Sequence, residues 1–387
     1  MDKSYVVAAV RTAVGRSKKG SAIAHVRPDD LGVAAVREVV KRAGVPAEKI
    51  QDVVMGCAFP EAESGMNVAR IIALAAGLPD TVAGVTINRF CSSGLETMAT
   101  VAAKIEAGIL ECAVAGGIES MSVIPMGGNK LCPNPGLVRN MPEAYTSMGQ
   151  CSDNVARDFK ITREECDQWA YQSNMRAVAA IKEGRFKDEI VPLEVKGRNG
   201  TFIFDTDEGP RADTTLEGLA KLKPAFAASP ALGVTTAGNA SQTSCGAAAT
   251  MIVSEKILKD LKLKPLARLR SYAVGAGNPK YLGPAQIPAI ENALAQAGIT
   301  LKDIGLVECN EAFATQTLYV VKQLGLDPAI VNVNGGAIAL GHPLGCTGAK
   351  LATTLIYEMR RRGVKYGLET MCIGTGMGAA GIFELCD

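Results

Sequence analysis

One stretch of the sequence, RAGVPAEKIQDVVMGCAF (Arg42–Phe59), recurs 254 residues later as QAGITLKDIGLVECNEAF (Gln296–Phe313). Gly44 matches Gly298, and both copies end on the same Ala–Phe pair without a gap. Each copy has the pattern of a helix that ends at a glycine, followed by a short loop and a strand. A constant offset with a matching apolar pattern favours an internal duplication over chance matches of common residues.

The duplication predicts three parts of the chain. One α/β half is expected at residues 1–122 and a second at residues 250–387. The residues between them, 123–249, begin with a stretch rich in Pro, Gly and Asn, and we interpret them as an inserted loop domain. Thr162, followed three residues later by a glutamate, predicts a capping box at the start of a helix in this insert.

The composition argues against several classes of function. The 387 residues carry a formal net charge of +2, so nothing indicates a nucleic-acid partner. No apolar run approaches the roughly 18 residues of a membrane span. Eleven cysteines occur without a C-x-x-C pair, which argues against a zinc or dithiol motif and favours a reducing, cytoplasmic location.

One cysteine, Cys91, stands directly before a predicted helix in the stretch NRFCSSGLETMATVAAKIEAG (Asn88–Gly108). Apolar residues three and four apart predict the helix, with Ser92 or Ser93 as its N-cap and Gly108 as its end. Such a position can lower the pKa of a thiol, because backbone N–H groups and the helix dipole stabilise a thiolate. The alternative is a small buried packing residue, and this stretch alone favours that alternative.

The sequence has two histidines, His25 and His342, so a reaction that needs an imidazole has two candidates. His25 is interpreted as a surface loop residue. The duplication offset carries His342 onto Asn88, three residues before Cys91. Both positions are interpreted as lying between a strand, AGVTI or GGAIAL, and a helix. If the halves pack about a pseudo-twofold axis, the carboxyl ends of these strands face each other and bring His342 to Cys91.

Four motifs, in this order, resemble the thiolase family over essentially the whole chain. They are NRFCSSG around Cys91, NEAFA (Asn310–Ala314), GGAIALGHPLGCTGA (Gly335–Ala349) and CIGTGMGAA (Cys372–Ala380). The resemblance implies a thiolase-like fold, with duplicated α/β halves in a layered αβαβα arrangement and coenzyme A bound by the inserted loop domain. It implies acyl transfer between a thioester and coenzyme A, which is a substrate, with no cofactor and no metal.

The resemblance also implies roles for individual residues. Cys91 would be the nucleophile that carries the acyl group, and His342 would be its base. Cys372 would be the second acid and base, acting at the alpha carbon. Asn310 would orient a water that forms one oxyanion hole with His342. The backbone N–H groups of Cys91 and Gly374 would form the other, where glycine lets the backbone approach closely.

Four further residues are assigned to substrate contacts by the same resemblance. Ser241 matches a position that meets the pantetheine arm of coenzyme A, and Met148 matches a residue of the acyl pocket. Phe313 is also expected to contact the substrate. Lys223 matches a basic position near the nucleotide, although an ordinary solvated charge is a serious alternative there.

Three departures from the family pattern concern the substrate. Ser147 stands where many short-chain biosynthetic members have histidine, and Cys245 stands where aspartate is usual. LGPAQIPA (Leu282–Ala289) replaces a common pattern of the family. These departures leave the chemistry intact, and they leave the acyl chain-length preference and the nucleotide contacts open.

The sequence therefore favours a degradative 3-ketoacyl-CoA thiolase of fatty acid β-oxidation. The alternative is an acetoacetyl-CoA thiolase that condenses two acetyl-CoA molecules in biosynthesis. A ketoacyl synthase fits less well because that class does not need Cys372, and a non-catalytic acyl-CoA or lipid-binding relative has no use for a nucleophile. The resemblance implies a homodimer or a homotetramer, and some degradative members instead bind a hydratase/dehydrogenase subunit.

Overall fold

The structure, a computed structural model, describes residues 3–197, 200–227 and 233–386. The described residues form strands and α-helices that alternate along most of the chain. The strands are β1 (Ser4–Thr12), β2 (Gly15–Arg16), β3 (Asp52–Gly56), β4 (Ala83–Ile87), β5 (Cys112–Ser120), β6 (Ile190–Val191), β7 (Leu193–Gly197), β8 (Gly200–Phe204), β9 (Ser244–Ser254), β10 (Ala267–Ala276), β11 (Leu306–Cys309), β12 (Tyr366–Ile373) and β13 (Met377–Leu385). The helices are α1 (Pro28–Ala43), α2 (Val68–Ala75), α3 (Ser93–Glu106), α4 (Pro135–Asn140), α5 (Met148–Phe159), α6 (Arg163–Lys182), α7 (Leu216–Ala220), α8 (Glu255–Asp260), α9 (Gln286–Ala297), α10 (Ala314–Leu324), α11 (Ala337–Leu340) and α12 (Thr347–Arg362).

The strand order of the main sheet is symmetric about its centre. It runs β11-β12-β13-β10-β1-β9-β5-β3-β4, so that β10, β13, β12 and β11 repeat the places of β1, β9, β5 and β3. The two halves meet where β1 pairs with β10, at Val6 and Ala267. β7 and β8 form a separate hairpin in the insert. The duplication is therefore visible in the sheet topology itself.

Helices form three layers around the two half-sheets. α1 and α2 pack on the outer face of the first half, around Leu31 and Ile72. α9 and α10 cover the outer face of the second half together with α5 and α6 of the insert. α3 and α12 lie between the half-sheets and contact strands of both. The predicted αβαβα arrangement is confirmed.

The two central helices touch through their backbones at one pair of glycines. A Cβ atom on Gly94 would lie 2.5 Å from the backbone nitrogen of Ala349. A Cβ atom on Gly348 would lie even closer to the backbone nitrogen of Leu95. Gly94 and Gly348 are equivalent positions of the duplication. Because only glycine fits on both sides, this crossing fixes the distance between the halves.

The duplicated register is kept at the elements on both sides of this crossing. The 3₁₀ turns Ala47–Lys49 and Leu301–Asp303 are 254 residues apart, as are the 3₁₀ turns Phe90–Ser92 and Leu344–Cys346. The helices α3 and α12 also begin 254 residues apart. The expected ends of the first helix of each copy are confirmed too, because α1 and α9 both stop immediately before a glycine.

The register is interrupted between these elements, and the expectation of a gap-free match was wrong there. Val53 pairs with Gly84 in β4, whereas its counterpart Val307 pairs with Val331, seven residues earlier than the constant offset requires. The second half regains these seven residues before His342, so the constant offset of 254 residues holds again from there. The GGAIAL stretch that supplies them was interpreted as a strand, but it forms the short helix α11.

The insert is fastened to the first half by a buried ion network. The guanidinium of Arg11 in β1 bonds Glu189 at 2.6 Å and Asp207 at 2.8 Å, and all three side chains are buried. The capping box predicted at Thr162 is present. The predicted boundary between residues 249 and 250 falls inside β9, which pairs along its length with β1 and β5. β9 therefore belongs to the first half-sheet.

All eleven cysteines lie in the described part of the chain, where they are free thiols. Within that part, no set of three or more His, Cys, Asp and Glu side chains is arranged to hold a metal ion. No helix among the described residues has the length and apolar character needed to cross a bilayer.

We expect Gly348→Ala to lower the free energy of unfolding by about 1–3 kcal/mol, because the added methyl group meets the backbone of Leu95. Gly277→Ala is the matched control, since a Cβ atom there meets nothing within 4 Å. The control is expected to stay within about 0.5 kcal/mol of the parent. Urea unfolding followed by circular dichroism measures both, and equal stability of the two variants would contradict a tight crossing.

Candidate active site

Cys91 lies in a tight turn that leads into α3. The turn is the 3₁₀ segment Phe90–Ser92, and Phe90 has a φ of 43°, a conformation that costs energy for any residue but glycine. The hydroxyl of Ser93 donates to the carbonyl of Phe90 at 2.6 Å and accepts from the backbone nitrogen of Arg89 at 2.9 Å. Helix α3 begins at Ser93, as the sequence predicted to within one residue.

Two backbone N–H groups converge on the sulfur of Cys91. One is its own and the other belongs to Gly374, in the loop after β12. These are the two groups that the sequence analysis assigned to an oxyanion hole. The steric need for glycine expected at Gly374 is not found, because a Cβ atom there would reach only ordinary contact distances, 3.7 Å from Phe90 and from the sulfur of Met148. Thr375, with a φ of 66°, carries the strained conformation of this loop instead.

The pKa of the Cys91 thiol is raised to about 12, mainly by burial, with the two backbone N–H groups lowering it and the nearby charge of Glu119 making a smaller upward contribution. The lowered pKa that a helix N-terminus can give a thiol is therefore not found for Cys91 in the free enzyme. The side chain is only 8% exposed, and desolvation outweighs the helix dipole. Burial likewise raises the pKa of Cys372, and the charge of Cys91 adds to that rise. Both thiols are neutral at rest.

The hydrogen bonds of His342 define its tautomer. The hydroxyl of Thr347 lies 2.9 Å from the carbonyl of Pro343 and must donate to it, so Nδ1 of His342, at 2.6 Å, must donate to Thr347. Nε2 is then left as an acceptor, and it faces Nδ2 of Asn310 at 3.4 Å. Burial, with a smaller effect from the charge of Lys350, lowers the pKa of His342 to about 3. The imidazole is therefore neutral, with its basic nitrogen toward the pocket.

Asn310 leaves one polar atom open in the same place. Its Oδ1 is buried and has no hydrogen-bond partner among the described residues. The backbone of Asn310 is held on both sides, by donation to the carbonyl of Thr370 and by acceptance from Gln316 at 3.0 Å. A fixed amide with a buried, unpaired oxygen is a suitable place for a bound water. This arrangement supports the predicted water-orienting role.

The two halves bring these groups together across the central crossing. The turn of Cys91 contacts both β12 and the 3₁₀ turn Leu344–Cys346, which follows His342 by two residues. Cys91 and Leu344 belong to the same buried apolar cluster. Cys372 lies within β12, and its interaction with Cys91 contributes to its raised pKa. The expected approach of the nucleophile turn to the histidine turn is therefore seen in the fold.

An apolar cluster lies on one side of Cys372. Its members are buried or half-buried side chains: Met148, Cys151, Ala240, Leu282, Ala312 and Phe313. Phe226 extends the cluster by an edge-on contact with Phe313, with ring centroids 6.0 Å apart. Ser241 lies at its border, because its backbone nitrogen donates to Ala312 at 2.9 Å. Met148 and Phe313 thus lie in one apolar cluster with Cys372.

The remaining predicted positions lie outside this cluster. Lys223 is exposed on the segment that follows α7. Ser147 is exposed and caps α5, where its hydroxyl bonds Gln150. Cys245 is buried in β9 with its sulfur 3.1 Å from the hydroxyl of Ser122. His25 bonds the carbonyl of Lys196 at the surface, far from the chemistry.

Glu311 is a structural residue of the site to which no role was assigned from the sequence. Its buried carboxylate accepts four hydrogen bonds, from the side chains of Trp169, Ser173 and Asn332 and from the backbone nitrogen of Ile338. It therefore ties α6 of the insert to the loop that leads into the histidine turn. The signal that could have identified it was a group of polar residues, Glu308, Asn310 and Glu311, in a stretch that is otherwise apolar and buried.

Comparisons with known proteins agree with this geometry. A thiolase N-terminal domain model matches residues 4–256 and a thiolase C-terminal domain model matches residues 263–385. The chain is 51% identical to the 3-ketoacyl-CoA thiolase of Bacillus subtilis over all of both chains. The structure matches human mitochondrial 3-ketoacyl-CoA thiolase with a TM-score of 0.91 at 39% identity, covering 100% and 99% of the two chains. It matches the acetyl-CoA acetyltransferase of Bacillus anthracis with a TM-score of 0.90 at 41% identity and the same coverage.

We expect Thr347→Val to lower kcat about 10- to 100-fold, a part of the roughly 10²–10⁴-fold that a positioned base contributes. The change removes the acceptor for Nδ1 of His342, which leaves the ring free to take the other tautomer. Thr353→Val is the matched control in the same helix, because the hydroxyl of Thr353 donates to the carbonyl of Ala349 one turn earlier in that helix. Steady-state kinetics measure both variants, and an equal loss in the two would assign the effect to the helix rather than to the base.

Proposed function

We propose that this chain, which belongs to the thiolase family, cleaves 3-ketoacyl-CoA with coenzyme A into acetyl-CoA and a shortened acyl-CoA. One observation carries the proposal: two buried thiols, Cys91 and Cys372, interact with each other, and two backbone N–H groups lie on the first of them. The turn that carries Cys91 also contacts the turn that follows the neutral imidazole of His342. An acyltransferase that breaks a carbon–carbon bond needs both a nucleophile and a separate proton donor. The 51% identity to a relative named 3-ketoacyl-CoA thiolase supports the same reaction.

In the first half-reaction, Nε2 of His342 takes the proton of Cys91 as the sulfur attacks the 3-keto carbon. The N–H groups of Cys91 and Gly374 stabilise the negative charge that forms on the keto oxygen. The bond between C2 and C3 then breaks, and the acyl group stays on Cys91 as a thioester. The electron pair moves to C2, and the charge spreads to the thioester oxygen. His342 now carries a proton on Nε2, so it can donate to that oxygen together with a water held by Asn310.

Cys372 delivers its proton to C2, and acetyl-CoA leaves. The raised pKa of this thiol suits the step, because the alpha carbon of a thioester is itself a weak acid. In the second half-reaction, the Cys372 thiolate takes the proton of the incoming coenzyme A thiol. The sulfur of coenzyme A attacks the acyl thioester, and Cys91 leaves and recovers its proton from His342. All protons are then back where they began.

The alternative, a biosynthetic acetoacetyl-CoA thiolase, uses the same groups in reverse. Fold similarity does not separate the two, because the TM-scores to a 3-ketoacyl-CoA thiolase and to an acetyl-CoA acetyltransferase are nearly equal. The curated relatives do separate them, since those at 51% and 43% identity are both named 3-ketoacyl-CoA thiolase. The degradative reaction is therefore favoured.

Substrate contacts, assembly and location are parts of the same proposal. Coenzyme A is proposed to pass Ser241, with its phosphates near the exposed Lys223. A homodimer or homotetramer is supported by the sheet edge at β4, where Val85 on the strand and Leu74 on α2 are exposed apolar side chains. Eleven free thiols support a cytoplasmic location. Association with a hydratase/dehydrogenase subunit stays a prediction.

We expect two cysteine variants to separate the half-reactions. Cys91→Ala should abolish thiolysis and also acylation by acetyl-CoA, because no sulfur remains to carry the acyl group. Cys372→Ser should still allow Cys91 to be acylated by acetyl-CoA but should stop carbon–carbon cleavage, since a hydroxyl is a poor proton donor to C2. Mass spectrometry of the acyl-enzyme and a thiolysis assay measure the two steps. Normal turnover of Cys91→Ala would refute the nucleophile, and equal loss of both steps in Cys372→Ser would refute a separate acid.

We expect activity on 3-ketoacyl-CoA substrates longer than four carbons. The reason is the apolar cluster of Met148, Leu282 and Phe313 that includes Cys372. Ser147 is not part of this cluster, because it caps a helix. Each buried methylene contributes about 0.8 kcal/mol, so two more carbons favour binding roughly tenfold.

The ratio kcat/KM for C4, C6 and C8 substrates measures this preference. Met148→Ala is the informative variant, since the flexible side chain of Met148 limits the space beside Cys372, and its loss should favour the longer substrates. A steep fall in kcat/KM from C4 to C6 in the parent enzyme would contradict the prediction and favour the acetoacetyl-specific alternative.

A further inference from the structure

A buried carboxylate beside the Cys91 pocket has no part in the chemistry described above. Glu119 lies in β5 and is fully buried. Its Oε2 atom accepts two backbone N–H groups, from Ala58 at 2.9 Å and from Gly345 at 2.8 Å. Ala58 belongs to the first half of the duplication and Gly345 to the second. A single oxygen atom therefore joins the two halves at the site.

The bond to Ala58 leads directly to the nucleophile turn. The carbonyl of Ala58 accepts from the side chain of Asn88 at 2.9 Å, and the other end of that amide accepts from the backbone nitrogen of Phe90 at 2.8 Å. Ala58 also belongs to the same buried apolar cluster as Cys91. A displacement of Ala58 would therefore be transmitted to the turn that holds the thiol.

The bond to Gly345 leads to the base. Gly345 lies in the turn Leu344–Cys346, whose last N–H donates to the carbonyl of Pro343 at 3.0 Å. The same carbonyl receives the hydroxyl of Thr347, which holds the ring of His342. The turn also rests directly on the first half, because a Cβ atom on Gly345 would lie 2.6 Å from the Cα atom of Cys57.

We propose that Glu119 is a positioning residue that clamps the Ala58 loop to the Gly345 turn and so fixes Cys91 against His342. The proposal rests on the proposed function, in which these two residues act together. Burial raises the pKa of Glu119 to about 7, so the carboxyl is partly protonated near neutrality. Oε2 can accept the same two N–H groups as a carboxylate or as the carbonyl oxygen of a neutral acid. The positioning role of Glu119 therefore depends on the length of its side chain and not on its charge.

Two substitutions separate reach from charge. Glu119→Gln keeps an acceptor oxygen at the same reach and removes the charge, and its amide group can face the sulfur of Cys57, 3.7 Å from Oε1. Glu119→Asp keeps the charge but withdraws the oxygen by one methylene group. Glu358→Asp is the matched control, because Glu358 is equally buried, accepts from Asn334 at 2.9 Å and lies near the far end of α12.

We expect Glu119→Asp to lower kcat for thiolysis about tenfold or more, since a misplaced reacting group can cost roughly a hundredfold, with KM changed less than about threefold. Glu119→Gln and Glu358→Asp should retain kcat within about threefold of the parent. An acid, base or electrostatic role for Glu119 requires the opposite order, with the glutamine variant impaired and the aspartate variant active, and that result would overturn the proposal.

A second measurement does not depend on the substrate. The protein has only two histidines, so a sample labelled with ¹³C-histidine gives one imidazole signal for His342 and one for the surface residue His25. Glu119→Asp should shift or broaden the His342 signal alone, and Glu119→Gln should leave both signals in place.

If the parent enzyme shows no thiolysis, the proposed function is wrong. The His342 signal still tests whether Glu119 holds the two turns together. An unmoved signal in a folded Glu119→Asp variant would overturn the clamp. If Glu119→Asp does not fold, Glu119→Gln decides alone, because a clamp predicts the parent spectrum and any large change contradicts it.

Discussion

The close crossing of α3 and α12 at Gly94 and Gly348 is the constraint on which the site depends. Each helix begins directly after a 3₁₀ turn, so helices that touch near their first residues must also place these turns side by side. One turn carries Cys91 and the other follows His342. A side chain at either glycine would separate the helices and the turns together, since the opposing atoms are backbone atoms that cannot rotate away. The same glycine crossing therefore determines both the packing of the core and the alignment of the reacting groups.

Burial at this crossing explains the resting state of the chemistry. Desolvation raises the pKa of both thiols and lowers that of His342, so the free enzyme holds a neutral thiol and a neutral imidazole instead of an ion pair. Charge forms only when a substrate carbonyl occupies the place faced by the N–H groups of Cys91 and Gly374. Those dipoles are already oriented, and in a dry pocket they stabilise an oxyanion more strongly than water would. The free-energy cost of forming charge in the dry pocket is therefore offset by these N–H groups during the reaction, and no charge forms before it.

The sequence predicted the duplication, the layers and the approach of the two turns, because all three follow from matching residues at one offset. It did not predict the seven-residue shift at Val331, since a loss and an equal gain leave the flanking offsets unchanged. It also allowed a lowered pKa for Cys91, because the thiol stands at a helix N-terminus. That argument used the local helix, whereas the burial that reverses the sign comes partly from Leu344 in the other half. A short sequence pattern predicts the local helix. The pKa of a buried group depends on all the elements that pack around it, including those distant in sequence.

The duplication also shows why the two turns have different tasks. Gly345 is the counterpart of Cys91, and it is pressed so closely on Cys57 that no side chain fits there. Its N–H group is held by Glu119. The residue equivalent to Glu119 in β12 is Ile373, which cannot accept a hydrogen bond. The isoleucine side chain therefore does not accept the N–H group of Cys91, which can donate to a substrate oxygen. One exchange of glutamate for isoleucine between the copies thus separates a structural turn from a catalytic one.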